Sequence, residues 1–345
     1  MRHVNIPVFI PHLGCPHTCV FCNQHTITGK ERFGVSDAVR EIDRALSHID
    51  PENTEVEIAF FGGSFTGIDR ALMLSLLRCA APYLESGRVH ALRVSTRPDY
   101  IDAERLRILA AHGVKTIELG IQSMDDRVLA ASERGHTAAC AETACRVIKA
   151  AGFRLIGQMM TGLPEATPES EEKTAEALCA LGCDGARIYP TVVFANTALD
   201  KMMQSGAYQP PSLSEAVART ARAYRVFLGH SVPVIRIGLC AQENLAGPDG
   251  ARCGTFHAAI GELTENEIYR GLLDNAARGL PQAAKNGQYV LLVAPGHVSK
   301  TVGQKRSNLK YLSDRFGIQR IKVREDPALL PHTVRLIPSE LSESR

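Results

Sequence analysis

The chain has 345 residues, 45% of them hydrophobic, enough for a large core in one long domain or two ordinary ones. Its formal net charge of +2 sets up no global field that selects a nucleic acid or a membrane as partner. The opening MRHVNIPVFIPH has too short an apolar run for a secretory signal. No apolar stretch reaches the ~18 residues of a spanning helix, so no membrane is expected and a cytoplasmic protein is.

Strand-like apolar runs then alternate with helical patterns from residue 6 to about 194: VFIPH, VEIAFFGG, ALRVSTR, TIELGIQ, LIGQMM and ARIYPTVVF. Between them, Val39, Ile42, Leu46 and Ile49 repeat at helical spacing. Asp69 is a natural N-cap before Leu72, Leu76 and Leu77, and Thr167-Pro168-Glu169 reads as cap, first-turn proline and first-turn acid. Near-continuous apolar strands separated by helices predict a parallel sheet. Six units fall short of a closed eight-unit barrel, so the expected fold is α/β, a partial (β/α)6 barrel over residues 1–240.

The last ~150 residues break that rhythm, and 241–345 are expected to form an α+β extension that covers the barrel edge. A helix fits 213–229 and a strand fits VPVIRIGL. A glycine-rich stretch follows, then a strand QYVLLVAP, a basic helix over 302–316 closed by Gly317, and a strand IQRIKV. Lys300, Lys305, Arg306 and Lys310 open a basic run through Arg324 whose only acid is Asp314. Such a run is either the footprint of a phosphate backbone or a solvated helix face.

Ten cysteines is high for a reducing compartment, where clustered thiols are ligands or catalytic groups more often than disulfides. Cys15, Cys19 and Cys22 cluster as Cys-x3-Cys-x2-Cys on a loop after the first strand, and the other seven are scattered. Cys179 and Cys183 are read as core thiols. Three thiolates can hold three corners of a four-iron cluster, leaving one iron open. The competing reading is a Cys3His zinc site with His12, His17 or His25 as fourth ligand.

Cys15-x3-Cys19-x2-Cys22, with Phe21 before the last cysteine, resembles the signature of radical S-adenosylmethionine (SAM) enzymes. The resemblance implies a [4Fe-4S] cluster and SAM as cofactors, a flavodoxin- or ferredoxin-like reductant, and reductive cleavage of SAM to a 5′-deoxyadenosyl radical. FFGGSFTG (60–67) resembles the family's glycine motif, with Gly62, Gly63 and Ser64 toward the SAM amino group. Ser64 stands where many members carry an acid.

STRPDYI (95–101), ELGIQS (118–123), ERGHT (133–137), GQMMTGLP (157–164) and RIYPTVVF (187–194) together are similar to the radical SAM portion of the Elongator catalytic subunit family. They are more distantly similar to oxygen-independent coproporphyrinogen oxidase. The resemblance implies that Gln122 and Ser123 face the SAM ribose and that Arg134 pairs with the methionyl carboxylate. It also implies that Gln158, Arg187 and Tyr189 point into the barrel toward substrate.

Each has a structural alternative: Arg134 and His136 as solvated loop residues, Glu118 and Arg187 as a mutual ion pair, Tyr189 as core. The resemblance covers about 6–240. The chain begins too close to the cysteine loop for an N-terminal tRNA-binding segment and ends before an acetyltransferase domain, so acetyl-CoA chemistry is not expected. Three functions stay open: radical SAM modification of RNA, with tRNA as the partner; radical SAM chemistry on a porphyrin-type small molecule; and a cluster- or zinc-bearing sensor without SAM chemistry.

Overall fold

In the computed structural model, the described residues are 2–10, 14–15, 19–23, 33–50, 53–239, 250–252, 256–280 and 288–339. The chain divides into two compact units, Met1–Ala258 and Ala259–Arg345. The boundary expected between 240 and 241 lies outside the described residues, as do His12, His17 and His25.

The first unit is built on seven parallel strands in sequential order. They are β1 (Arg2–Phe9), β2 (Thr54–Phe61), β3 (Ala91–Thr96), β4 (Val114–Gln122), β5 (Arg154–Thr161), β6 (Gly185–Pro190) and β7 (Val234–Ile237). The sheet curls into an open half-barrel, the partial barrel expected. It holds one strand more than six units imply, because the VPVIRIGL run pairs parallel with β6 through Ala186–Val234 and Arg187–Arg236. Helices lie between the strands: α1 (Val35–Leu46), α2 (Arg70–Glu85), α3 (Ala103–Ala111), α4 (Asp126–Ala131), α5 (Ala138–Ala150), α6 (Pro168–Ala180), α7 (Ala198–Gln204) and α8 (Leu213–Gly229).

Local chemistry sets these boundaries. Asp69 accepts from Leu72 N at 3.0 Å, and Thr167 forms a reciprocal capping box with Ser170. Each cap stabilises its helix by about 1 kcal/mol. The strands are buried along nearly their whole length, as in β2, where Val56, Ile58, Ala59 and Phe60 are inaccessible. Cys183 packs in this core beside Cys145 and over Gly157, consistent with a small apolar role.

The second unit opens with α9 (Ile260–Arg278), a helix the glycine-rich reading of this region missed. Its buried stripe mixes Ile260, Ile268, Tyr269 and Leu273 with Thr264 and Asn266, which blurs the apolar period. A mixed sheet of order β10-β8-β9 follows, from β8 (Gln288–Val293), β9 (Arg320–Glu325) and β10 (Val334–Pro338). β9 runs parallel and β10 antiparallel to β8.

The basic helix begins later than expected. A short α10 (Val298–Val302) ends at Gly303, and α11 (Ser307–Phe316) starts only after Lys305 and Arg306, whose φ values of 51° and 62° cannot continue a helix. Gly317 caps α11 in the left-handed conformation, as the sequence predicts. Among the described residues, no helix is long and apolar enough to cross a membrane.

Candidate active site

The polar groups of the half-barrel fall into two sets. The first is a ladder along the strands. Glu118 on β4 is almost wholly buried and accepts from Arg93 Nη1 (3.0 Å) on β3, Arg187 Nη2 (2.7 Å) on β6 and Gln158 Nε2 (2.7 Å) on β5. Arg93 also donates through Nε to Glu57 Oε2 (2.8 Å) on β2, which lies 3.2 Å from His3 Nε2 on β1, while Glu57 Oε1 accepts from Thr116 Oγ1 at 3.3 Å.

Carboxylates and guanidiniums therefore alternate over β2, β3, β4 and β6, with neutral Gln158 on the intervening β5, and each charge meets its opposite. That arrangement makes burial of four charged groups tolerable. Arg187 lies over the Phe61 ring, 5.4 Å from its centroid, and its Nη1 is 3.5 Å from the Tyr189 hydroxyl. Burial raises the Tyr189 phenol above its ordinary value, so it keeps its proton at neutral pH.

The second set gathers beyond the carboxyl ends of β1, β3 and β4, the end where parallel α/β folds carry chemistry. Arg134, largely buried, donates from Nη1 to Cys19 Sγ (3.3 Å) and from Nη2 to Gly120 O (2.6 Å). Arg97 forms a bidentate pair with Asp99 (2.9 Å twice) and donates to Arg134 O at 2.7 Å. Burial opposes ionisation of Asp99, but the Arg97 bonds and charge prevail and hold its carboxyl below the usual value.

Burial also pushes the Cys15 thiol up, opposed by Arg134 and Arg97. His136 is held down to about 4, by burial first and Arg134 next, and is neutral at pH 7. Among the described residues, buried polar atoms without a partner concentrate here: Arg97 Nη1, Arg134 Nε, Gln122 Oε1 and both ring nitrogens of His136. Since such atoms each cost about 1–3 kcal/mol when left unpaired, their convergence marks a place prepared for a polar ligand.

Glycines seat the cysteine loop. A Cβ on Gly14 would lie 2.2 Å from Ser64 O, one on Gly67 2.3 Å from Gly14 O, and one on Gly62 2.5 Å from Ile10 O. Backbone thus packs on backbone, with Gly14 and Gly62 also at positive φ. The far end of the loop is anchored by Val20 and Phe21, which pack with Val193, Leu199, Met202 and Tyr208. Backbone bonds from Val20 N to Ser132 O (3.2 Å) and from Leu199 N to Val20 O (2.8 Å) complete the anchor.

The expected residues separate accordingly. Cys15, Cys19, Arg134, Gly62, Gly63, Gln122 and Ser123 belong to the strand-end region, while Gln158, Arg187 and Tyr189 belong to the ladder. Gln122 sits at φ 70° with its Oε1 unpaired, whereas Ser123 Oγ accepts from Asp125 N at 3.1 Å. The Ser64 hydroxyl is engaged inside the protein, 2.8 Å from Thr96 Oγ1, with Arg97 N donating to it at 3.3 Å. Arg97, Asp99, Glu57 and Arg93 were not singled out from sequence. Charged side chains inside otherwise apolar strands were the signal for Glu57 and Arg93, whereas Arg97 and Asp99 lie just beyond β3.

The residues fit an iron–sulfur cluster and SAM. Arg134 donates to Cys19 Sγ, and the unpaired guanidinium donors and Gln122 Oε1 suit a carboxylate and a ribose. Cys15, Cys19 and Cys22 would hold three irons of the cluster. Among the described residues, no group of three or more His, Cys, Asp or Glu is already gathered at metal-binding distance.

Comparison with known proteins agrees with this chemistry. A profile of the radical SAM superfamily matches residues 9–178, and a radical SAM C-terminal domain profile matches 183–270. Mouse Elongator complex protein 3 is 32% identical over 161 residues, covering 43% of this chain and 29% of that protein. A tRNA uridine(34) acetyltransferase of Dehalococcoides mccartyi is 24% identical over 242 residues, covering 59% and 52%. The chain thus spans about a third to a half of the length of these relatives. The structure of Methanocaldococcus infernus Elp3 lacking residues 1–46 superposes with a TM-score of 0.58 at 19% identity, covering 78% of this chain and 63% of that one, and shows the shared fold. With two adjoining family profiles spanning about three quarters of its length and a cysteine loop that fits the cofactors, the chain belongs to the radical SAM superfamily, enzymes that use a [4Fe-4S] cluster and SAM.

Proposed function

We propose that this radical SAM enzyme acts on tRNA. The observation that carries the reading is its similarity to a tRNA uridine(34) acetyltransferase over 242 residues, a match longer than the first family profile. Exposed cations in the C-terminal unit support it. Lys305, Arg306 and Lys310 face solvent, whereas Lys300 is held by Glu265 at 3.2 Å.

When bound, the cluster and SAM supply one-electron cleavage of SAM and hydrogen abstraction from substrate. In this reading the chain's own residues do the rest. Arg134 Nε and Arg97 Nη1 supply charged donors for the SAM carboxylate, and Gln122 Oε1 accepts from its ribose. Neutral His136 offers a hydrogen-bond partner that adds no charge beside the two guanidiniums. Gly62 and Gly63 let backbone approach the ligand. Glu118 fixes Arg187 and Gln158 so that Arg187 and the protonated Tyr189 present a rigid polar face to the substrate. A flavodoxin- or ferredoxin-like protein supplies the electron.

The test is SAM cleavage by anaerobically loaded, dithionite-reduced protein, with and without bulk tRNA. Formation of 5′-deoxyadenosine stimulated by tRNA but not by a porphyrinogen supports the reading. Stimulation by the porphyrinogen alone would move the substrate to the small-molecule class.

A further inference from the structure

In the second unit some cations are paired and some are not; Arg320, Lys322, Arg324 and Arg335, like those near the α10–α11 junction, are exposed and meet no carboxylate at ion-pair distance among the described residues. Arg270 pairs with Glu267, Arg278 and Arg315 pair with Asp274, and Lys300 pairs with Glu265. Lys305, Arg306 and Lys310 are exposed and, among the described residues, meet no carboxylate at ion-pair distance. What sets the junction apart is its backbone: Lys305 and Arg306 stand in a built loop, and Lys310 follows on α11.

The loop is Gly303-Gln304-Lys305-Arg306. Gly303 has φ 79°, and a Cβ there would lie 2.5 Å from Ser307 Oγ and 3.2 Å from Asn308 N, so the turn is closed against the start of α11. Asn308, fully buried, ties the end of α10 to α9 by donating to Thr301 O (3.0 Å) and Asn266 O (2.9 Å). Asn266, with its amide oriented to satisfy both ends, donates to Lys300 O (2.9 Å) and accepts from Gln304 N (3.2 Å).

Lys305 and Arg306 both occupy the left-handed region, which glycine or asparagine normally fills, at a cost of about 1 kcal/mol or more each. Among the described residues, neither side chain makes a hydrogen bond or ion pair that would offset that cost. Nor does a side chain cap α11, so its first-turn amides face the same loop.

We infer that the Gly303–Arg306 loop clamps the sugar-phosphate backbone of a single-stranded RNA segment. KH modules grip about four backbone nucleotides with a GXXG loop. Here a glycine-led four-residue loop joins two helices beside a three-stranded sheet, and the second glycine position is Arg306 in the glycine-like conformation. Lys305, Arg306 and Lys310 supply the phosphate contacts, and base identity is read elsewhere or not at all. The inference rests on the tRNA reading for the class of its ligand and adds where the strand is held.

The test uses the full chain loaded with iron and sulfide. A fluorescein-labelled single-stranded RNA and labelled tRNA are titrated by anisotropy between about 50 and 200 mM salt. The loop variant is Lys305→Gln/Arg306→Gly, which removes two charges and suits the backbone. The control is Arg320→Gln/Arg324→Gln on β9, which removes two charges at exposed positions, while Ile321 and Val323 between them pack on the core.

The expected result is roughly tenfold or greater weakening for the loop variant, with a salt slope shallower by about 1.4. The β9 control should stay within about threefold of wild type. Equal weakening of both variants, or an unchanged loop variant, defeats the loop assignment and leaves the tRNA reading standing. Wild type that binds neither RNA, or binds only anionic phosphatidylserine vesicles, defeats both. Should the loop variant not fold, Lys310→Gln on exposed α11 must show the same direction with a smaller loss, and an unchanged affinity there also defeats the assignment.

Discussion

The half-barrel buries charge in two ways. Along the strands, Glu57, Arg93, Glu118 and Arg187 satisfy one another, and Arg187 Nε is the ladder's one unpaired buried nitrogen among the described residues. At the strand ends, Arg97, Arg134 and His136 are as deeply placed but, with half-buried Gln122, leave five buried atoms without partners among the described residues. The ladder is self-sufficient, and its removal should be felt as stability. The strand-end cluster is incomplete, and its removal should be felt as lost ligand binding. Buried polar groups thus serve structure where they close on themselves and function where they do not.

The most severe way to break this contrast is at the loop itself. Cys19→Ala should abolish iron loading, measured as iron and sulfide per chain after reconstitution, while far-UV circular dichroism stays native. A full cluster in that variant would remove Cys19 from the ligand set. Next, Glu118→Leu strands Arg93 and Arg187 without a shared acceptor, and should lower unfolding free energy by about 3–5 kcal/mol in urea titration. Arg134→Met should cost no more than about 1 kcal/mol of stability yet weaken SAM binding by at least about tenfold by calorimetry. If Arg134→Met proved as destabilising as Glu118→Leu, the distinction between the two sets would collapse.

The smallest effect concerns acid stability. The folded value of His136 is about 4, below its ordinary 6.5. Its neutral form therefore favours the fold above pH 6.5, and that contribution is lost as pH falls toward 4, where the unfolded chain takes up the proton first. His136→Asn should accordingly flatten the decline in stability over pH 6.5–4. A wild-type slope retained in the variant would place the titrating group elsewhere.

Much of this was legible in sequence, for identifiable reasons. The strands around Ile58, Val94, Ile117 and Ile156 are buried on both faces and read as continuous apolar runs, so the parallel sheet followed directly. Asp69, Thr167 and Gly317 marked helix ends because caps are local chemistry. The ladder was seen only at Glu118 and Arg187, since pairing across six strands is a tertiary fact, although Glu57 and Arg93 stood in plain view inside apolar runs. Arg97 escaped notice for a similar reason: its burial depends on Asp99 and the Arg134 carbonyl. The α11 boundary was misplaced because the left-handed conformations of Lys305 and Arg306 carry no compositional mark.

The central claim is that Cys15, Cys19 and Cys22 hold a cluster whose open iron lies where Arg97 and Arg134 can secure SAM. It is tested most directly by low-temperature EPR of the reconstituted, dithionite-reduced protein, recorded with and without SAM. The account predicts a reduced-cluster signal that changes on adding SAM in wild type and changes far less in Arg134→Met. A signal indifferent to SAM in wild type, or a protein that binds zinc and no iron, would contradict it.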